Sequence, residues 1–265
     1  MRALAGFLVC VVLGTAHADV VPDLYRGEAI VTGQENLEER ERGFREALAE
    51  AVVKVSGDAR LPGDPRLTSA LQEAGSFVDR FEYEDRLAKK KLMDEQGTRE
   101  RSYFLRVDFN PVAVNRLLAE LGARPWPADR PRVLVLLVVR DSVGRYLLAE
   151  DGARGWGQRE TLAAIGRRRG IPVALPRSNV VAEAEAGRGE GQAPDGGETR
   201  QLKDAYGAVA SLYGAMTMRD DGMWNTGWTL QSAEVQGSWR SDDTTFDRAI
   251  ASGVEGAALR LAGLQ

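Results

Sequence analysis

Carboxylates are the side chains this sequence holds in quantity for acid–base chemistry, because it carries 39 Asp and Glu against a single His and a single Cys. Two carboxyl groups flanking a glycosidic bond can hydrolyse it without imidazole or thiol. The adjacent pairs Asp220-Asp221 and Asp242-Asp243 are the obvious candidates, although neighbours in a turn point apart and need not share a substrate. Arg140, Asp141 and Ser142 follow directly on the longest apolar run, Val133 to Val139. Open α/β sheets place ligands just past the carboxyl ends of their strands, so this triplet is a candidate contact, with Arg140 suited to a small anion. The bland alternative is a loop in which Asp and Ser satisfy local backbone groups. Trp224, Thr226, Trp228 and Leu230 fall on one strand face at period two, with Trp239 nearby. Such aromatics stack on a glycan or a partner when exposed, and pack beneath a helix when buried.

Three further clusters read as structural. Arg167-Arg168-Arg169 before Gly170 has the composition of a phosphate or lipid head-group grip, yet cations in a last helical turn are what the helix dipole favours. Lys89-Lys90-Lys91 suits protection of a sheet edge. Gly187, Gly189 and Gly191 follow no strand and open no helix, which removes the context a phosphate loop requires.

The first eighteen residues bear on the remaining chemistry. Arg2, an apolar run from Ala3 to Gly14, and Ala16-His17-Ala18 form the pattern of a secretory signal peptide cleaved after Ala18. The run is too short to cross a bilayer, which takes about 20 apolar residues. Cys10 lies inside it behind Phe7-Leu8-Val9, unlike a lipid-modified cysteine, and reads as filler. Cleavage would discard both His17 and Cys10. The remaining chain would then lack the ligands for zinc, copper or iron–sulfur sites and the groups for Ser-His-Asp or Cys-His catalysis. No cofactor or metal is expected, and no disulfide braces the fold.

Residues 19–265 carry 34 basic and 39 acidic residues, a balance of −5, without the concentrated basic face of a nucleic-acid binder. After residue 18 no apolar stretch approaches a transmembrane span.

The elements that must position these residues are legible from periodicity. A strand over Leu24–Thr32 gives way at Leu37 to a helix with the apolar stripe Phe44, Ala47, Leu48, Ala51, Val52, Val55. Asn36 with Glu39 suits its start and Gly57 its end. A shorter helix follows over Pro65–Ala74, then strands over Phe77–Leu87 and Arg101–Phe109 joined by a turn at Glu95-Gln96-Gly97, and a helix opened by Asn110-Pro111. The order β-α-α-β-β-α predicts an α+β domain over 19–123. Pro125, Pro127 and Pro131 mark 124–131 as a stiff connector. Beyond it, an α/β domain over 132–265 begins with the doubly buried strand Val133–Val139, continues through helix 158–169 and strand 171–175, and crosses a Gly/Ala/Glu-rich insertion at 182–199 expected to be disordered. A helix over 201–205, strands at 208–218, 224–231 and 235–240 and a helix over 246–261 complete it. The predicted fold class is therefore an α+β N-terminal domain followed by an α/β three-layer-like domain with a mixed sheet.

Several segments together resemble the proteobacterial domain-of-unknown-function family DUF2066. They are Phe44 to Asp58, Leu105 to Pro111, Arg130 to Leu137, Arg169 to Pro176, Tyr206-Gly-Ala208, Gly222-Met-Trp224 and Trp228-Thr-Leu230. That resemblance implies an exported envelope protein and transfers no catalytic residue; Val209 departs from the acidic residue expected there. The element order of the second half is also similar to amino-terminal domains of periplasmic Tol-Pal and outer-membrane assembly factors. The resulting expectation is a non-enzymatic periplasmic binding or assembly factor whose partner is another envelope protein, with Arg140, Asp141, Ser142, Trp224 and Trp228 as candidate contacts. A carboxylate-dependent hydrolase acting on a glycan is the competing expectation; nucleic acid is not an expected partner.

Overall fold

The computed structural model describes residues 18–86, 101–181, 196–243 and 245–264. The expected signal peptide through residue 17, the Glu95-Gln96-Gly97 turn, Lys89-Lys90-Lys91 and the glycine string at 187–191 lie outside those residues.

The protein is α+β and is organised as two lobes, each around its own apolar core. In the first, strand β2 (Arg26–Thr32) leads to helix α1 (Leu37–Ser56), α2 (Pro65–Gln72), strands β3 (Val78–Asp85) and β4 (Ser102–Phe109), and α3 (Pro111–Glu120). The sheet is antiparallel in the order β2-β4-β3. Its inward residues Val31, Leu105, Val107 and Phe109 pack against the α1 stripe named above, where Ala47, Leu48, Ala51, Val52 and Val55 have no exposed surface. Asn36 accepts the Glu39 N–H and Gly57 closes the helix with φ of 77°, as the sequence predicts. Charged side chains of α1 also close the free edge of β2. Glu39 accepts the Thr32 N–H at 3.0 Å, Arg42 donates to the Ile30 carbonyl at 2.7 Å, and Lys54 donates to the Arg26 carbonyl at 2.6 Å. An edge so occupied cannot pair with another chain.

In the second lobe, β6 (Val133–Asp141) is buried from Val133 through Val139, as a strand covered on both faces must be. It pairs with β7 (Gly144–Leu147) on one side and, in parallel, with β9 (Ala210–Met218) on the other, while β10 (Trp224–Gln231) and β11 (Gln236–Asp243) extend the sheet. A two-residue strand β8 (Val173–Ala174) also pairs with β6, giving a mixed six-stranded sheet. Helices α4 (Trp156–Arg169) and α6 (Phe246–Leu261) share one face, with Thr161 bonded to Asp247 and Arg169 to Glu255, so they run parallel. Helix α5 (Gly196–Ala205) packs Leu202 against the other face. Residues 196–199 are thus helical, contrary to the disorder expected from their composition; residues 182–195 lie outside the described set.

The proline-marked segment 124–131 differs most from expectation. Residues 129–131 form strand β5, which pairs antiparallel with β1 (Ala18–Val20). Arg130, within this short strand, has no exposed surface. Its guanidinium donates to the carbonyls of Pro127 at 2.6 Å, Trp126 at 3.2 Å, Lys54 at 3.0 Å and Gly170 at 3.4 Å, and sits 3.7 Å above the Trp126 ring. Lys54 lies in the last turn of α1 and Gly170 caps α4, so the electronegative ends of two helices, one from each lobe, converge on one cation. Among the described residues no carboxylate pairs with it. Burial pulls its pKa down to about 10, which leaves it charged at neutral pH. Both helices end in left-handed glycines, and a Cβ on Gly170 would lie 3.4 Å from the Arg130 guanidinium. The segment is a seam between the lobes and not a free spacer.

Candidate functional site

Beside this seam the lobes leave a cleft of about 750 Å³. One wall is the outer face of β2 and β4, which no helix among the described residues covers, with Arg26, Glu28, Phe104 and Arg106; α1 adds Glu50 and Lys54. The other wall is α4 with Ala163, Ala164, Arg167 and Arg168, continued by Ile171 and Pro172, and Val20-Val21-Pro22 line it from the N-terminal strand.

Most charges of this lining are arranged in pairs. Glu50, whose side chain is 5% exposed, accepts from Arg168 at 2.7 Å across the seam. Glu28 accepts from Arg106 at 3.1 Å, and Asp23 lies 3.5 Å from Arg26. Arg26 grips Asp108 with both arms, at 2.6 and 3.0 Å, and Arg80 reaches the same carboxylate at 2.7 Å. The Arg26 bond is the main reason the Asp108 carboxyl titrates below the ordinary range. Lys54 is buried beneath these groups; desolvation lowers its pKa, partly offset by Glu50, Asp23 and Glu28. A general acid needs a carboxyl kept protonated by apolar burial or by a second carboxylate, whereas contact with arginine favours the charged form. The cleft is thus suited to holding a ligand of mixed polar and apolar character by exchange of ion pairs. Among the described residues no group of three or more His, Cys, Asp or Glu is arranged to hold a metal ion.

The residues singled out by sequence lie elsewhere. Asp141 ends β6 in a tight turn, where its carboxylate accepts the Val143 N–H at 2.9 Å, the Gly144 N–H at 3.2 Å and Arg154 at 2.7 Å. Burial would raise this carboxyl, but the Val143 N–H and Arg154 together hold it below the ordinary range. Arg140 and Ser142 are exposed beside it. Trp224 and Trp228 are 7% and 1% exposed and face α6 with Thr226 and Leu230. A Cβ on Gly214 or Gly253 would stand 2.2 or 2.5 Å from the Trp228 ring, so glycines on a strand and a helix make room for it. As candidate contacts these two tryptophans are corrected to core residues, withdrawn from any partner by the helix above them. Asp220, Asp221 and Asp242 are exposed at a hairpin and a strand end, and none lines the cleft. The cleft itself went unpredicted, since its lining is drawn from segments as distant as β1, α1, β4 and α4.

Residues 18–127 match the family model described as Domain of unknown function (DUF8605). This corrects the DUF2066 resemblance, to which nothing else ties the chain; its quoted segments are packing and turn signals that unrelated α+β proteins share. Among curated proteins there is no match. Among solved structures, a crystal structure of lipoprotein GNA1162 from Neisseria meningitidis is similar at 16% identity and a TM-score of 0.26, over 44% of this chain and 83% of that one. A PelC dodecamer from Paraburkholderia phytofirmans is similar at 13% identity and a TM-score of 0.24, over 51% and 85%. No helix among the described residues is long and apolar enough to cross a membrane.

Proposed function

We propose that the protein is a non-enzymatic binding or assembly factor of the bacterial envelope, exported to the periplasm, and that the interlobe cleft is where it holds its partner. The observation that carries this reading is the pairing of the cleft carboxylates Glu28, Glu50 and Asp23 with arginines. Such a lining recognises charge and shape. Export is supported by the Arg2-led apolar run and the Ala16-His17-Ala18 site. The partner is an envelope protein presenting a segment with charges of both signs.

A photo-crosslinking amino acid at Ala163, on the α4 wall, tests the reading in living cells, with Val112 on α3 as the control position. The expected result is one envelope protein crosslinked from 163 and not from 112, which then binds the purified chain. Equal crosslinking from both positions, or turnover of a glycan by the purified protein, overturns it.

A further inference from the structure

Each carboxylate lining the interlobe cleft has an arginine. Asp23, Glu28 and Glu50 pair with Arg26, Arg106 and Arg168, and Asp19 is gripped by Arg132 at 2.7 and 2.9 Å. The cations of the same lining are not matched in this way. Arg26, Lys54, Arg106, Arg167 and Arg168 all face the cleft, and among the described residues Lys54 and Arg167 have no carboxylate within ion-pairing distance. Arg167 is exposed on the last turn of α4. Lys54 is 8% exposed, and its ammonium makes one hydrogen bond, to the Arg26 carbonyl at 2.6 Å. An ammonium carries three donors and a full charge, whereas closing the β2 edge takes one donor and no charge. A buried cation ordinarily has a counter-charge in contact, because burial without one is costly.

The two cations are neighbours across the seam. The Lys54 stem packs on the glycine that ends α4, with its Cγ 3.2 Å from where a Gly170 Cβ would stand, and the Arg167 carbonyl accepts the Gly170 N–H at 3.2 Å. Val20, Val21, Phe104 and Ile171 supply apolar surface in the same cleft. We infer that Lys54 and Arg167 form an acid-binding subsite, which takes the carboxylate of an aspartate or glutamate in the partner's segment while the apolar residues flanking it seat against Val20, Val21, Phe104 and Ile171. This rests on the proposal that the cleft holds a protein partner, and it names the residue type recognised there. Glu50, Asp23 and Glu28 act on Lys54 from beyond contact distance and Arg26 opposes them, so the charge left to satisfy is less than that of two free cations and suits a group bearing a single negative charge. A phosphate would call for forked arginines, and Arg26, Arg106 and Arg168 are already engaged by carboxylates.

The test is a selection of random peptides displayed on phage against the purified full chain, repeated against Lys54→Gln and Arg167→Gln. The expected result for the wild type is enrichment of Asp or Glu flanked by apolar residues. A labelled peptide of the selected sequence should lose about tenfold or more in affinity when its acid is replaced by the corresponding amide, as for a charge-assisted hydrogen bond to a buried group. Lys54→Gln should erase that discrimination, and Arg167→Gln should reduce it about threefold, as for an exposed pair. Circular dichroism verifies each fold; Arg167 is exposed, so its variant keeps the test decisive should Lys54→Gln not fold. Enrichment of basic or uncharged peptides, an absence of binders, a preference for acid over amide that survives substitution of Arg167, or thermal stabilisation by inorganic phosphate as large as that by the peptide would each overturn the inference. An envelope protein crosslinked from position 163 without any acid preference defeats this inference and leaves the proposed function standing; an acid preference without a crosslinked protein does the reverse.

Discussion

The seam between the lobes and the far corner of the large sheet both depend on arginine, and they use it in opposite ways. Around the seam the buried and half-buried guanidinia have acceptors: Arg130 has carbonyls from both lobes and Arg26 has Asp108, while Arg168 reaches the buried Glu50. At the corner Arg140 and Arg145 face each other across two strands with no acceptor among the described residues. A satisfied buried cation fastens elements whose backbone groups would otherwise lack partners. An exposed like-charged pair adds a small repulsion to the fold and fastens nothing. The contrast separates arginines that hold the fold together from arginines that do not.

Removing the seam cation is the harshest way to break that contrast. Arg130→Met leaves the carbonyls of Lys54, Trp126, Pro127 and Gly170 buried without a donor, at a cost of roughly 3 kcal/mol or more. Thermal unfolding followed by circular dichroism should show a midpoint lower by on the order of 10 °C. Glu50→Gln is milder, because its partner Arg168 is largely exposed; chemical denaturation should register a loss of about 1 kcal/mol. A loss as large as that of the Arg130 variant would mean that the cleft lining, and not the buried cation, fastens the lobes.

Glu39 supplies a pH test at the β2 edge. The Arg42 guanidinium, with the Thr32 N–H, holds its carboxyl down to about 2, against an ordinary 4.5. Between those values the unfolded chain binds more protons than the folded one, so this contribution is complete above pH 4.5 and is lost as pH falls towards 2. Glu39→Gln should flatten that part of the stability–pH curve relative to wild type. The smallest effect belongs to the corner: Arg140→Ala with Arg145→Ala should leave stability unchanged or raise it by a few tenths of a kcal/mol.

Much of the fold was legible because its signals are local. Asn36, the α1 stripe and Gly57 lie within one helix; Asn110-Pro111 opens α3; and an uninterrupted run from Val133 to Val139 admits little except a strand covered on both faces. The seam was not legible. Arg130 sits among prolines in a stretch that reads as polar linker, and its burial is decided by helix ends some 75 and 40 residues away. Strand β7 was missed because Gly144-Arg-Tyr-Leu147 is too short to show alternation, which left Asp141 looking like a ligand position when its carboxylate organises the turn. The tryptophan row was visible at period two, but only the approach of Gly214 and Gly253 places Trp228 beneath a helix. Of the candidate residues, Arg140 and Ser142 are the ones the structure leaves exposed.

The most direct measurement compares two unfolding midpoints under one set of conditions, that of Arg130→Met and that of the Arg140→Ala, Arg145→Ala double variant. The first should fall by about 10 °C and the second should stay within roughly a degree of wild type or rise slightly. A double variant that melts as early as the Arg130 variant would contradict the division between arginines that fasten the lobes and arginines that face outward.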